Sequence, residues 1–319
     1  KVLEAYAFPR IYEDYSSLIV YAKPREGQSL ETVEKLLWEE IENLREGKFE
    51  DWLPEAVVKD LKLSEIKEFE KNQGRAAAIT NAFILGIPWS EMVARWDKLA
   101  RISKADVMAF AKKHLRPNNY CVVYKHHGTD DSVMKVEKPA ITPVELNRAG
   151  TSEFGQTFLQ QVTPDIEPEF VDFKKVIKNA RLRPNLNLKA VHQPLSQLFR
   201  LHYIFDMGKN SKLLFPIAAK YFTFLGTDIY SPQEMQQAFY RLGVHFSATC
   251  KDERMYLSLS GLSEALEPGI ELMEHLLADM QPNPAALENL KADILMRREN
   301  NKKDKRTILT KAMYNYGKY

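Results

Sequence analysis

Seven histidines, two cysteines and several carboxylate clusters are the residues of this 319-residue chain that could do chemistry. A protein-bound transition metal needs imidazole, thiolate or carboxylate donors that converge, so spacing decides which of them qualify. His126 and His127 are adjacent, point apart on a strand or loop, and make a poor chelate. His245 and Cys250 are an odd number of residues apart, which puts them on opposite faces of a regular strand. Glu271 and His275 have the spacing of a salt-assisted helical pair, but no third ligand accompanies them. Glu264, Glu267, Glu271 and Glu274 recur at helical spacing; the stripe could serve general-acid work, and a solvated helix face is the plainer reading. Arg297, Arg298, Lys302, Lys303, Lys305 and Arg306 form the one basic run of note. Glu299 and Asp304 interrupt it and no aromatics interleave for base stacking, which argues against nucleic acid; a cationic face towards a central chamber or another domain is a minority option. Lys220 and Tyr221 are a conceivable acid/base pair, yet Tyr221 continues an apolar stripe and Lys220 can lay its stem on the surface beside it. There is no phosphate-cradling glycine loop and no Gly-x-Ser-x-Gly.

Bulk properties narrow the field further. The net charge of +2 implies neither nucleic acid nor an anionic membrane as partner. Cys121 and Cys250 both fall in predicted strands and read as buried hydrophobes, so no disulfide scaffold is expected. No run approaches the roughly 18 apolar residues of a membrane span. The chain starts at Lys1 without a Met and stops at Tyr319 inside a helical pattern, so it reads as a piece of a longer protein, with an upstream signal peptide left open.

The elements that must position these residues follow from periodicity. Residues 1–28 hold one strand, Ser17 to Ala22; Ser29 caps a helix running to about Arg45. Pro54 opens a long helix to about Leu85, with Gly74 a weak point inside it. Helices follow at Ser90 to Ile102 and after Ser103, whose N3 partner is Asp106; Tyr120 to Lys125 reads as a buried strand. Residues 126–185, with prolines at 139, 143, 164, 168 and 184, look like a connector carrying short helices at Pro143 to Ala149 and Ser152 to Gln160. Strands return at Leu186 to Val191 and Gln197 to Phe205. Ser211 to Leu225 has apolar residues at helical spacing and ends at Gly226. Ser231-Pro232-Gln233-Glu234 is a cap, an N1 proline and an acidic N3 ahead of a second helix that Gly243 stops. Val244 to Cys250 and Met255 to Ser260 alternate as a hairpin across Lys251-Asp252-Glu253. Helices at Ser263 to Met280 and from Pro284 close the chain.

Leu225-Gly226-Thr227, Tyr230-Ser231, Leu242-Gly243 and Ser247-Ala248-Thr249, followed by Asp252 and Tyr256, resemble the pitrilysin (insulinase) family of zinc metallopeptidases. The pattern covers about fifty residues in the family's order, which is more specific than a short motif. In active members the helix before the Gly-Thr carries His-x-x-Glu-His, two zinc ligands and the Glu that activates the metal-bound water. The resemblance places those positions on Ile217, Lys220 and Tyr221, and the third ligand at about Arg298. None of these four side chains is a zinc donor at neutral pH, so this copy of the domain is expected to be dead, with no catalytic, cofactor or metal residue assigned. Ser103, Asp106, Val107, Ala111, Lys113, Leu115, Pro117 and Asn118 resemble the ending of the second domain of an active half in the same family.

The resemblance implies an α+β fold of two pitrilysin-type domains, each an antiparallel-rich sheet with helices on one face. Residues 1–130 would be the second domain of the active half, 131–185 the connector and 186–319 the inactive repeat. The implied function is a non-catalytic middle segment of a zinc endopeptidase, forming chamber wall and peptide-binding surface while an absent domain holds the zinc. The other reading is a wholly inactive relative serving as scaffold or partner subunit of a separate zinc peptidase. Implied partners are a peptide or unfolded-protein substrate and a zinc-bearing domain of the same or another chain, with no nucleic acid and no membrane segment.

Overall fold

The computed structural model describes residues 1–318 other than 26, 130, 131, 133, 135, 144–146, 148, 149, 163 and 195. It is 49% helical and 17% strand, and its small sheets are all antiparallel, which makes it α+β rather than α/β. Two compact units emerge, Lys1–Cys121 with Leu195–Tyr319, and Val122–Pro194.

The first unit opens with β1 (Glu4–Ile11) and β2 (Ser16–Lys23), paired so that Tyr6 faces Tyr21 and Phe8 faces Ile19. Only the second strand is expected from sequence; Pro9 disguises the first, and a two-stranded ladder has edge positions that tolerate proline. Next comes α1 (Leu30–Glu46), where the Ser29 hydroxyl accepts the Thr32 N–H. The single helix expected from Pro54 to Leu85 is two, α2 (Leu53–Phe69) and α3 (Asn72–Ile84). The break falls just ahead of Gly74, which lies so close to the Glu68 backbone that a Cβ there would clash with it. After α4 (Trp89–Leu99), α5 (Lys104–His114) starts at a capping box: Ser103 Oγ accepts the Asp106 N–H at 3.2 Å and Asp106 Oδ2 accepts the Ser103 N–H at 2.8 Å.

Residues 120–125 are not the buried strand that their β-branched and aromatic composition suggests. Tyr120, Val122 and Val123 are exposed and irregular, and the Tyr120 ring instead meets Trp38 edge-on at 4.9 Å while its hydroxyl donates to Glu34. Strand preference expresses fit to a half-buried pleated surface, so it yields when the context differs. Cys121 is accordingly exposed and Cys250 half-buried, against the expectation of two buried thiols.

The second unit contains the short helix expected at 152–160, α6 (Glu153–Leu159), which Ser152 caps, then α7 (Phe173–Val176) and the hairpin of β3 (Lys178–Arg183) with β4 (Leu186–Ala190). β3 lies in the stretch read as connector; Lys178, Asn179 and three further polar or small residues conceal it. The helix expected at 143–149 falls mostly outside the described residues.

The first unit resumes with β5 (Leu198–Phe205), α8 (Phe215–Phe222), α9 (Pro232–Leu242), β6 (Val244–Cys250) and β7 (Met255–Leu262). A 3-10 turn, Ser263–Ala265, leads into α10 (Leu266–Ala278), and α11 (Pro284–Lys303) follows. α8 is shorter than the expected span 211–225 because Pro216 fits only a first helical turn. The residues ahead of it are tied to the β6–β7 turn instead, Lys209 N–H to Lys251 O at 2.9 Å and Asn210 N–H to Asp252 O at 2.8 Å. α9 has the complete Ser231/Glu234 capping box and ends at Gly243 in the left-handed conformation.

The strands assemble in the order β5-β7-β6. Leu201 opposes Leu259, and Phe246 opposes Leu259 from the other side, so one face presents Phe199, Leu201, Tyr203, Leu257, Leu259, Val244 and Phe246. Leu225, Met235, Phe239, Met273 and Leu276 from the helical layer complete the core on that face. Arg200, His202, Ser258 and His245 occupy the opposite face, an alternation that leaves it polar. α2 packs on α9, with Trp52 edge-on to Tyr240 at 6.4 Å, and Glu70 binds Arg200 Nη2 at 2.7 Å and the Ser196 hydroxyl at 3.0 Å. Among the described residues no single helix is long and apolar enough to cross a membrane.

Candidate functional site

The structure describes all four positions that the resemblance assigns to a zinc site. Ile217 and Tyr221 lie half-buried on α8, Lys220 is exposed beside them, and Arg298 is exposed on α11. The Tyr221 hydroxyl accepts the Asn283 N–H at 2.7 Å, and its ring packs on the core. Tyr221 thus seats the start of α11, whose cap is the Asn283 side chain accepting from Ala286 N–H at 3.0 Å. An aliphatic chain, an ammonium, an engaged phenol and a guanidinium do not fit zinc.

A groove of about 590 Å³ lies between α2, α9, α10 and the loop ahead of α9. Trp52 and Tyr230 supply aromatic wall, Lys59 and Arg241 positive charge, and Glu55 and Glu271 negative charge. Lys59 pairs with Glu55 at 2.8 Å one helical turn away and holds that carboxyl below the usual range, with Arg241 adding to the effect. The Arg241 guanidinium also lies over the Trp52 ring at 5.3 Å. Among the described residues the lining holds no serine, threonine or cysteine, and its one hydroxyl is the Tyr230 phenol.

His275 lines that groove, and it is not joined to Glu271 in the way its spacing suggests. Its Nε2 lies 3.1 Å from the hydroxyl of buried Thr227, which itself accepts the Tyr230 N–H at 3.1 Å; the ring meets Tyr230 edge-on at 5.9 Å. The residues gathered beside it are Asp228 and Asp279, one potential ligand atom from each of the three lying within 4.8 Å of the others. Asp228 N–H donates to Asp279 Oδ2 at 3.0 Å, and Gln281 Nε2 donates to Asp279 Oδ1 at 3.3 Å. Contact between the two carboxyls pushes Asp228 up and Asp279 down. Sequence reasoning missed this cluster. His275 and Asp279 are four residues apart where α10 ends, but Asp228 arrives from a loop distant in sequence.

Other sequence-marked groups stay apart. The Tyr203 hydroxyl donates to Glu274, and burial with that carboxylate pushes the phenol up to about 12. His245 is exposed and Cys250 half-buried on β6, and the basic run from Arg297 to Arg306 is exposed.

No known protein family and no curated protein matches this chain. Among solved structures, the crystal structure of the periplasmic protease PqqL from Escherichia coli is similar at 15% identity and a TM-score of 0.32. The match covers 99% of this chain and 37% of that one. A TM-score of 0.32 is too low for the likeness to bear on fold or chemistry, and the chain spans well under half the length of that protein.

Proposed function

We propose that this chain is a non-catalytic middle segment of a zinc-dependent endopeptidase of the pitrilysin type, forming chamber wall and peptide-binding surface. In this reading residues 1–130 correspond to the second domain of an active half, 131–185 to the connector and 186–319 to an inactive repeat of the zinc domain. The observation that carries it is the environment of α8. The motif order from Leu225 to Tyr256 is that of the family, while the ligand positions hold Ile217, Lys220 and a Tyr221 engaged in holding α11. The groove walled by Trp52, Tyr230, Lys59 and Arg241 supports the peptide-binding part, since aromatic and charged side chains together suit a main chain with mixed side chains.

The test has two arms. A fluorescent, unstructured polypeptide incubated with the 319-residue chain and zinc is expected to bind and to stay intact. Trp52→Ala and Arg241→Glu should each weaken binding about tenfold, the size of a contact at a binding hot spot. Chelator-sensitive cleavage by this chain overturns the non-catalytic assignment, and absence of binding overturns the peptide-surface assignment. The parent reading frame should encode His-x-x-Glu-His roughly 150 residues before Lys1, the size of one domain.

A further inference from the structure

Asp228, His275 and Asp279 lie outside the positions that the pitrilysin resemblance assigns to zinc, and the proposed function makes no use of them. We propose that these three side chains bind a divalent first-row transition-metal ion, zinc or a cation of similar chemistry. Four observations carry the assignment. One ligand atom from each residue already lies within 4.8 Å of the other two, so an ion can reach all three with small side-chain movements. His275 stands in the last turn of α10 and Asp279 is the residue that ends it, its N–H bonded to the His275 carbonyl at 3.1 Å.

The third donor is brought by a loop that is itself fastened in place. Gly226 O accepts the Gln281 N–H at 2.9 Å and Asp228 N–H binds Asp279 Oδ2 at 3.0 Å, tying the loop to the end of α10. Finally, the His275 ring is oriented by the buried Thr227 hydroxyl at Nε2, the kind of partner that fixes the tautomer and direction of a metal-ligating imidazole.

The donor set selects the ion. Two carboxylates held against one another repel unless a proton or cation joins them, and the nearby imidazole adds a nitrogen donor. Calcium and magnesium prefer shells of oxygen, whereas one imidazole with two carboxylates suits zinc and its neighbours in the series. Three protein ligands leave a coordination position for water or a ligand atom. Because His275 also lines the groove, that ion would stand beside the surface proposed to hold peptide.

The experiment uses the untagged 319-residue chain, freed of metal with chelator and titrated with zinc by calorimetry. Cobalt titrated in parallel reports loss of octahedral water coordination through its visible absorption. One ion per chain is expected. Asp228→Asn, His275→Gln and Asp279→Asn should each weaken binding at least tenfold, and Thr227→Val about tenfold, since a residue that orients a ligand has effects of that size. Asp228 is exposed, so Asp228→Asn tests the site even where a helix variant loses its fold, which circular dichroism reports. Absence of stoichiometric binding, or binding that survives Asp228→Asn and His275→Gln, overturns the proposal. Tyr221→Phe should leave affinity unchanged. Zinc lost in Tyr221→Phe but kept in Asp228→Asn would overturn both this site and the non-catalytic reading of α8, whereas zinc lost in Asp228→Asn alone leaves that reading standing.

Discussion

Gly226→Ala should be among the most damaging single-methyl additions to this chain. Gly226 is buried where α8 gives way to the loop, with its carbonyl accepting the Gln281 N–H and the next amide, Thr227 N–H, bound to Tyr230 O at 2.8 Å. A Cβ at this position would stand 2.9 Å from both Pro232 N and Ser231 C, and nearer still to Tyr230 O. Comfortable contacts between carbon atoms begin at about 3.5 Å, so the loop would have to open by more than half an ångström. All three atoms are backbone at the capped start of α9 and cannot rotate aside. Overpacking of this kind costs about 1–3 kcal/mol, and the rigidity of the neighbours puts Gly226→Ala at the upper end.

Two internal comparisons calibrate that number. At Gly269, inside α10, a methyl would lie 3.1 Å from Leu259 Cδ2 and 3.3 Å from Val244 Cγ2, which are ends of side chains able to yield. Alanine there also gains about 1 kcal/mol of helix propensity, so Gly269→Ala should come out within about 1 kcal/mol of the parent. At Gly317 nothing lies within 4 Å, so Gly317→Ala should show no loss. Urea unfolding followed by far-ultraviolet circular dichroism reads the series, comparing midpoints where the slopes agree. A Gly226→Ala midpoint equal to the parent's, or an equal loss in Gly317→Ala, would refute the idea that close backbone approach seats this loop.

Leu259 is fully buried at the centre of the β5-β7-β6 core, so Leu259→Ala should cost about 2–5 kcal/mol; Leu213→Ala, at 77% exposure, should stay within about 0.5 kcal/mol in the same titration. Acid stability should depend on the two capping boxes. Ser231 holds the Glu234 carboxyl below its ordinary value of 4.5, and Ser103 holds Asp106 below 3.8. A depressed folded value means the contribution is complete above those ordinary values and is lost as pH falls through the lower folded ones. Glu234→Gln with Asp106→Asn should therefore flatten the acid fall of the melting temperature, and an unchanged fall would contradict the linkage.

Much of the local structure was legible because its causes are local. The Ser29, Ser103 and Ser231 caps, the Gly243 stop and the β6–β7 alternation depend on residues within one turn of each other, and each element stands where its pattern puts it. The misreadings have long-range causes. Tyr120 to Lys125 has strand composition, but what Tyr120 meets is Trp38 and Glu34 on α1. The long helix from Pro54 divides near Gly74 because backbone closes on backbone there. β3 has no compositional signal and is a strand because β4 pairs with it.

The same distinction holds for the sites. Side-chain chemistry alone determined that Ile217, Lys220, Tyr221 and Arg298 supply no zinc donors, since coordination depends on the atoms present whatever surrounds them. Only the tertiary structure decided that His275 belongs with Asp228 and Asp279 rather than with Glu271, and that Trp52 and Arg241 share a groove wall. Spacing along one helix constrains neighbours to within a turn, but convergence of a loop with a helix end about fifty residues away is set by how the core packs, which no short-range pattern encodes.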